Sequence, residues 1–249
     1  MFQHLTPVTK NIIIANIIVF FGGYLLLNYG IDLVEWLAGY FPLSPNFKSW
    51  QIITHMFMHG SFGHILFNMF ALFSFGPTLE QFLGGKKFLM LYFIAGLGGF
   101  ALYNLINLFT VYNDIAFLKA SNFDVDLIYQ YAKYSYAGEK PLPTNDIAVR
   151  DAAQSLFNTL RTPMVGASGA IFGVVAAFST LFPNAKLMFM FIPYPIKAKY
   201  LLPIIIAVSI FLGFKQFSWD NVAHFAHIGG ALFGFLYIYF WKKNNHYIG

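Results

Sequence analysis

The sequence predicts an all-α integral membrane protein built as a bundle of six transmembrane helices. Of its 249 residues, 58% are hydrophobic and only 10% are charged, whereas a soluble domain has about 25% charged residues. Six apolar stretches approach the length of about 20 residues that a helix needs to cross a bilayer. No segment shows the alternating pattern of a series of strands, so a helical bundle accounts best for the composition.

The six predicted spans differ in how clearly they reach membrane length. In chain order they cover residues 11–29, 63–82, 88–109, 164–182, 200–214 and 222–241. The fifth is marginal and reaches the required length only if Lys197 and Lys199 extend toward the membrane surface. Pro203 falls in its first turns, where a membrane helix tolerates proline.

The distribution of charge predicts a multi-pass protein of the cell membrane with both termini in the cytoplasm. In this orientation the cytoplasmic side carries eight lysines and a single acid, Glu80, while the other side carries nine acids. Short basic loops are retained in the cytoplasm. The basic residues are scattered between apolar segments, which argues against a nucleic-acid partner. The same orientation brings the starts of the second, fourth and sixth spans to the outer face.

Two long segments are expected on the outer side. Residues 31–62 are rich in aromatic side chains, which is typical of a segment that lies in the headgroup interface. Residues 111–162 are mixed in charge and contain a predicted helix capped near Thr144 or Asn145. We predict a single membrane domain over residues 1–249, with an outer-loop insertion at about 111–162.

Ser168 lies at the start of the fourth predicted span, inside an apolar run. Polar groups within a membrane are costly and usually functional, and a serine hydroxyl becomes a nucleophile when a base lies beside it. Gly166 and Gly169 flank the serine, and Gly169 with Gly173 forms a face of small residues that allows another helix to approach closely. The alternative is a packing serine bonded to a carbonyl one turn back.

A histidine in the sixth predicted span is the candidate partner of this serine. His227 shares a helix face with Gly230 and Gly234, at spacings of three and seven residues, so it points into a close helix contact. A neutral imidazole there would take the hydroxyl proton and return it to the leaving amine. Asp220 is seven residues away, about 10 Å along a helix. We therefore predict a serine–histidine dyad without a carboxylate, with Phe172 as a packing surface for the imidazole.

The second span supplies candidate donors for an oxyanion. His64 and Asn68 are four residues apart and share one helix face. A tetrahedral intermediate needs hydrogen-bond donors aimed at its developing negative charge. These two side chains and the backbone N–H of Ser168 are predicted to provide them. The alternative is a pair of polar residues that join helices.

The other histidines are interpreted as structural. His55, His59 and His64 have spacings that a metal site also uses, but no glutamate follows the first histidine and no acidic ligand is close in sequence. His224 is interpreted as a structural or rim histidine. The chain has no cysteine, which excludes a thiolate site. We predict neither a metal nor a cofactor.

Taken together, four segments resemble the rhomboid intramembrane serine proteases, in their order and in their positions on the predicted helices. They are Thr54-His55-Met56-Phe57-Met58-His59, His64 to Asn68, Gly166-Ala167-Ser168-Gly169, and Ala226-His227 with Gly230 and Gly234. The resemblance covers nearly the whole chain and implies a six-helix core. It also implies a catalytic serine at Ser168 and a catalytic histidine at His227, with His64 and Asn68 at the family's oxyanion positions.

Other positions both support and depart from this resemblance. Glu80 and Gly84 match a family motif after the second helix. The family often has Trp-Arg where this chain has Trp50 and Gln51, and that difference bears on the packing of the outer loop. The outer segment of about fifty residues before the fourth span is longer than in compact bacterial members.

The resemblance implies a serine endopeptidase that cleaves transmembrane segments of other membrane proteins near the outer face of the bilayer. Its partners would be single-span or other transmembrane substrates and membrane lipids. Two alternatives stay open at this stage. A catalytically silent rhomboid-like module that binds membrane proteins would not need the four polar residues, and a transporter would place acids in mid-membrane, where this chain has none.

Overall fold

The structure is a computed structural model that describes residues 5–189, 192–215 and 222–244. Its elements in chain order are α1 Pro7–Leu27, α2 Leu33–Leu37, α3 Gln51–Thr54, a 3-10 turn His55–Phe57, α4 Phe62–Leu83, α5 Gly85–Ala120, α6 Val125–Ala132, α7 Ile147–Arg161, α8 Ser168–Leu181, β1 Lys186–Phe189, β2 Ile192–Lys197, α9 Ala198–Lys215 and α10 His224–Asn244. Each of the six predicted spans is a helix, so the all-α membrane fold is confirmed.

The helices differ in whether they could cross a bilayer by length and composition. Within the described ranges four of them are long and apolar enough, namely α1, α4, α5 and α9, and α8 is a shorter apolar helix. Helix α5 has 36 residues, about 54 Å at 1.5 Å per residue, and exceeds a hydrocarbon core of about 30 Å. The predicted third span, 88–109, lies within this helix, which extends beyond it because charged residues outside the hydrocarbon do not end a helix.

The backbone contacts divide the chain into two compact units. The first contains Met1–Gly22, Met56–Tyr103 and Gly166–Gly249, and the second contains Gly23–His55 and Asn104–Val165. Helix α5 begins in the first unit and ends in the second. That the whole chain is one domain with an insertion stays a prediction.

The first unit has an apolar core between α4, α5 and α8. Leu72 and Leu79 of α4, Phe88 and Leu91 of α5, and Val174 of α8 are fully buried in it. Since these side chains come from helices far apart in sequence, the core holds α4, α5 and α8 together.

The attachment of α1 to this unit depends on a polar contact. The carboxylate of Glu80 accepts hydrogen bonds from the backbone N–H of Val8 (2.9 Å) and of Thr9 (2.7 Å) and from the hydroxyls of Thr6 and Thr9. The first N–H groups of a helix have no partner within the helix. Glu80 therefore caps α1 from α4, and Gly84, with a φ of +81°, ends α4 one turn later.

A two-stranded antiparallel hairpin precedes α9 and was not expected from the sequence. Strands β1 and β2 pair Lys186 with Lys197 and Leu187 with Ile196. The sequence shows no alternating polar pattern there, and the proline residues of β2 argue against a strand. The hairpin is short enough that it does not change the helical class of the fold.

The second unit has its own apolar core around α6 and α7. Ile128 of α6 and Leu156 and Leu160 of α7 are fully buried there. Asp146 caps α7 by accepting from the N–H of Ala148 at 2.8 Å. The predicted helix is thus confirmed, but its cap is one or two residues later than expected, because the aspartate side chain is the one that reaches the free N–H groups.

Gln51 holds the loop that precedes the second long helix. It is completely buried, its amide nitrogen donates to the carbonyl of Glu35 (3.2 Å), and its amide oxygen accepts from the N–H of Lys48 (2.9 Å). The Lys48 ammonium also donates to the Glu35 carbonyl and lies over the Trp36 ring. The position that departs from the family pattern is therefore fully hydrogen-bonded in this chain.

Candidate active site

Ser168 is the first residue of α8, with Ala167 as the preceding cap residue. The predicted span began at residue 164, so the helix starts four residues later than expected. Gly166 has a φ of +124°, a conformation that favours glycine and interrupts helix geometry. The first N–H groups of α8, including that of Ser168, have no acceptor within the helix and lie at the positive end of its dipole.

Gly166 also makes room for His64, the third residue of α4. A Cβ at Gly166 would lie 2.7 Å from Cε1 and Nε2 of His64 and 3.6 Å from Oγ of Ser168. The imidazole of His64 and the serine hydroxyl thus converge on one glycine. Any side chain at this position would displace the histidine.

His227 makes the direct contact with the serine. Its Nε2 lies 2.8 Å from Oγ of Ser168, which is hydrogen-bond distance. The Phe172 ring stacks on the imidazole, with ring centroids 4.0 Å apart and planes inclined by 14°. Ser168 and His227 are both half-buried, so each side chain is partly accessible from outside the protein.

Glycines allow the two helices to bring these side chains together. A Cβ at Gly230 would lie 1.9 Å from the carbonyl oxygen of Gly169, and a Cβ at Gly234 would lie 2.4 Å from the Cα and the carbonyl oxygen of Gly173. Helices α8 and α10 therefore touch backbone to backbone along two turns. The small-residue faces identified in the sequence are the faces in contact.

A third helix takes part in this contact, which the sequence interpretation missed. A Cβ at Gly99 of α5 would lie 2.6 Å from the carbonyl oxygen of Ala226. The signal was present in the run Gly96-Leu97-Gly98-Gly99 of the third span. Its spacing did not single out a partner helix, so only the three-dimensional structure identifies the contact.

Asn68 is buried on α4, one turn beyond His64. Its amide nitrogen donates to the backbone carbonyl of His64 at 3.0 Å. Because a primary amide has two N–H groups, this bond leaves at most one of them for a ligand. Its role as an oxyanion donor stays a prediction.

His55 and His59 precede α4 and differ in their partners. Nδ1 of His55 lies 2.9 Å from the carbonyl oxygen of Gln51. His59 packs edge-to-face on His64, with ring centroids 5.0 Å apart, and neither of its nitrogens has a hydrogen-bond partner among the described residues. The interpretation as hydrogen-bonded structural residues thus agrees with the contact of His55 and stays a prediction for His59.

Burial governs the protonation of both of these histidines. It lowers the pKa of His55 to about 4 and that of His59 to about 4, because the charged imidazolium loses its hydration. Both rings are therefore neutral at pH 7. Within the described part of the chain no group of three or more histidine and acidic side chains is arranged to hold a metal ion.

Asp220, which the sequence placed too far from His227 to orient it, lies outside the described residues.

The three polar side chains on separate helices share one geometric property. Ser168, His64 and His227 each lie among the first four residues of their helices. A serine hydroxyl at hydrogen-bond distance from an imidazole is the pair that nucleophilic catalysis of acyl transfer uses.

Comparison with known proteins assigns the chain to a family. The sequence matches the Rhomboid domain over residues 46–113 and 147–244, which is more than half of the chain. The chain therefore belongs to the rhomboid family. The match leaves out residues 114–146, which fall within the predicted outer insertion.

Two relatives illustrate the similarity. Rhomboid protein 1, mitochondrial, of Saccharomyces cerevisiae is 28% identical over 193 residues, which cover 78% of this chain and 42% of the yeast protein. Presenilin-associated rhomboid-like protein, mitochondrial, of Homo sapiens is 29% identical over 233 residues, which cover 91% of this chain and 46% of the human protein. The chain thus spans less than half of the length of either relative.

Proposed function

We propose that this chain is an intramembrane serine endopeptidase that hydrolyses peptide bonds in transmembrane segments of other membrane proteins near the outer face of the bilayer. The observation that carries the proposal is the distance of 2.8 Å between Oγ of Ser168 and Nε2 of His227. Membership of the rhomboid family supports the same reaction class.

In the acylation step, Ser168 is the nucleophile and His227 the general base. Neutral Nε2 accepts the hydroxyl proton while Oγ attacks the carbonyl carbon of the scissile peptide bond. The imidazolium then gives this proton to the leaving amine, and an acyl-serine ester forms. Water, deprotonated by His227, hydrolyses the ester and regenerates the hydroxyl. The stacked Phe172 ring limits the rotation of the imidazole during both steps.

Three donors are proposed for the oxyanion of the tetrahedral intermediate. The N–H of Ser168 is free at the start of α8, where the helix dipole also favours negative charge. His64 converges with the serine hydroxyl on Gly166. Asn68 has one amide hydrogen left after its bond to the carbonyl of His64, so we assign it the smallest share.

The proposed substrates are transmembrane helices that unwind locally. A helix satisfies its backbone groups internally, so its carbonyl has to be exposed before a serine can attack it. The half-buried positions of Ser168 and His227 near helix starts allow water to reach the acyl ester. Membrane lipids are the other proposed partners.

The cellular location is proposed on the distribution of charge alone. Eight lysines on the side of the termini favour a cytoplasmic position for both ends in a cell membrane. The names of the two relatives above assign those proteins to mitochondria. Accessibility of cysteines introduced near each terminus, in intact and in permeabilised cells, tests the proposed orientation.

The decisive experiment combines active-site labelling with cleavage. Purified protein in detergent or liposomes is treated with a fluorophosphonate and, separately, with a single-span substrate. We expect wild type to be labelled and to cleave, and Ser168→Ala and His227→Ala to do neither while staying folded and inserted. Normal product from Ser168→Ala would exclude the serine mechanism. A folded wild type that neither labels nor cleaves would leave the membrane-protein binding module as the function.

The oxyanion assignment has its own test. Loss of one such donor typically lowers turnover by about 10²–10³-fold. Asn68→Ala should lie at or below the low end of that range, since one of its amide hydrogens is already used. His64→Ala should have a comparable or larger effect. Unchanged kcat in both single variants and in the double variant would contradict the assignment.

A further inference from the structure

His224 is a buried histidine that the proposed mechanism does not use. It is the first residue of α10, one turn before His227, and only 8% of it is exposed. A histidine at such a position is unusual for a packing residue, because its ring nitrogens have to be desolvated. Its surroundings show what the ring contacts.

The ring of His224 meets the ring of His227 nearly at a right angle. Their centroids are 6.0 Å apart and their planes are inclined by 83°, which is the favourable edge-to-face geometry of aromatic pairs. Phe172 stacks in parallel on His227. The imidazole of His227 is therefore contacted by two rings in different orientations, and the two contacts together restrict its rotation more than the stack does alone.

Helix α9 supports His224 from behind. A Cβ at Gly213 would lie 3.2 Å from Cβ of His224 and 3.4 Å from the ring of Phe225. This spacing is so tight that even a methyl group would push its neighbour by a few tenths of an ångström. The Cβ of His224 thus lies against α9, while its ring packs against the proposed base.

We propose that His224 is a positioning residue that holds the His227 imidazole in the orientation that Ser168 requires. The proposal rests on the proposed function above. The rings that pack against a catalytic base help to set its alignment, and a displacement of about 1 Å in a catalytic group lowers turnover by as much as about 10²-fold. The ring of His224, rather than its charge, supplies the alignment.

Two substitutions of His224 separate loss of the ring from loss of the imidazole nitrogens. His224→Ala removes the ring and should lower kcat by about tenfold or more with little change in KM, because alignment and not substrate binding is lost. His224→Phe keeps a ring in the same place and should restore most of kcat. Rates are expressed per molecule that the fluorophosphonate labels, so that unfolded protein does not enter the comparison.

Phe225 provides a matched control on the same turn of α10. Its ring packs edge-to-face on Phe214 of α9, with centroids 5.7 Å apart, and it also lies close to Gly213. Phe225→Ala should therefore weaken the contact between α9 and α10 and lower the unfolding temperature without changing kcat per labelled molecule. An equal loss of kcat in Phe225→Ala and His224→Ala would overturn the positioning role, since packing in general would then explain both.

A double-mutant cycle tests whether the effect passes through His224. Gly213→Ala should displace His224 and lower kcat in wild type. His224→Ala keeps the crowded Cβ but has no ring that could pass the displacement to His227, so the further loss of kcat in the double variant should be small. Additive losses would show that Gly213 acts by another route and would contradict the proposed coupling.

The imidazole of His227 can also be observed without catalysis. In NMR spectra of protein with isotope-labelled histidines, His224→Ala should shift or broaden the ring resonances of His227. Phe225→Ala should leave those resonances in place. This result stands even if Ser168→Ala shows that the chain is not a serine protease, so the two proposals fail separately. Unchanged His227 resonances together with unchanged kcat in His224→Ala would reject the positioning role.

Discussion

Helices α8 and α9 lie in the same unit, yet they are held in opposite ways. Ten of the 14 residues of α8 are buried, whereas only four of the 18 residues of α9 are buried. The helix that carries Ser168 is thus surrounded by protein, while the apolar side chains of α9 face outward and are suited to contact lipid. This difference in burial indicates that close packing of α8 fixes the position of Ser168. On the outward-facing side of α9, by contrast, one apolar residue should be able to replace another.

The largest expected effect comes from breaking the contact of α8 with α10. Gly230→Ala places a methyl group 1.9 Å from the carbonyl oxygen of Gly169, and a backbone oxygen cannot move aside without moving α8. We expect a loss of at least about 3 kcal/mol in unfolding free energy, the upper end of the usual range for overpacking. Denaturation in mixed micelles measures this loss.

Gly22 of α1 is the matched control for this substitution, because a Cβ there would have no atom within 4 Å. Gly22→Ala should be neutral or stabilise by up to about 1 kcal/mol, since alanine favours a helix over glycine. Equal destabilisation by the two substitutions would show that the contact between α8 and α10 is not specially tight.

A smaller loss is expected from detaching α1, which resembles α9 in exposing most of its apolar residues. Glu80→Ala removes the acceptor for the N–H groups of Val8 and Thr9 and leaves them unsatisfied. We expect about 2–3 kcal/mol of destabilisation, as for hydrogen bonds to a charged group. Glu80→Gln keeps one oxygen acceptor and should lose less.

Activity per fluorophosphonate-labelled molecule should stay unchanged in both Glu80 variants. If Glu80→Ala were as stable as wild type, the carboxylate would not be what attaches α1. A loss of specific activity at full stability would instead connect α1 with the active site.

One pair of valines compares α8 and α9 directly. Val174 of α8 is fully buried, while Val208 of α9 is 51% exposed. Val174→Ala should destabilise by about 2 kcal/mol because it leaves a cavity. Val208→Ala removes the same two methyl groups and should change stability by less than about 0.5 kcal/mol. Thermal unfolding measures the stability of both variants. Similar losses of stability in Val174→Ala and Val208→Ala would mean that α9 is packed as firmly as α8.

The smallest expected effect of a single side chain is a loss of stability in acid, and it originates in neither helix. The folded pKa of about 4 for His55 and for His59 lies below the ordinary value of 6.5. Between these values the unfolded state binds protons that the folded state does not, so stability is complete above about pH 6.5 and decreases as the pH falls toward 4. At pH 5.5 each histidine should lower stability by about 1 kcal/mol.

The measurement is unfolding at pH 7.5 and pH 5.5. His59→Phe should lose less stability in acid than wild type. Since neither α8 nor α9 carries a group that titrates in this interval, the difference between Val174→Ala and Val208→Ala should be the same at both pH values. If the difference in stability between Val174→Ala and Val208→Ala changed with pH, then charge, and not packing, would distinguish the two helices.

The features that could be predicted from the sequence are those that local periodicity records. Six apolar runs marked six helices, and glycines at spacings of four indicated which faces of α8 and α10 meet. The start of α8 at Ser168 could not be predicted, because residues 164–167 are apolar and carry no capping side chain. The helix begins there because Gly166 has a positive φ and the His64 ring packs against it. Both features depend on the tertiary structure.

Partners distant in sequence were also beyond prediction. Glu80 was recognised as part of a motif, but the groups that it binds lie more than seventy residues earlier. His224 was interpreted as a structural or rim histidine, because spacing along one helix does not show that Gly213 of α9 packs against its Cβ. The hairpin before α9 was missed because its prolines conceal any strand pattern.

The cap that Glu80 provides for α1 has a consequence for biosynthesis. The start of α1 leaves the ribosome before α4, and its N–H groups stay without this acceptor until the chain has been extended by the 71 residues that separate Thr9 from Glu80. During this interval α1 lacks the contact that attaches it to α4. We therefore expect α1 to become fixed only after α4 has been inserted.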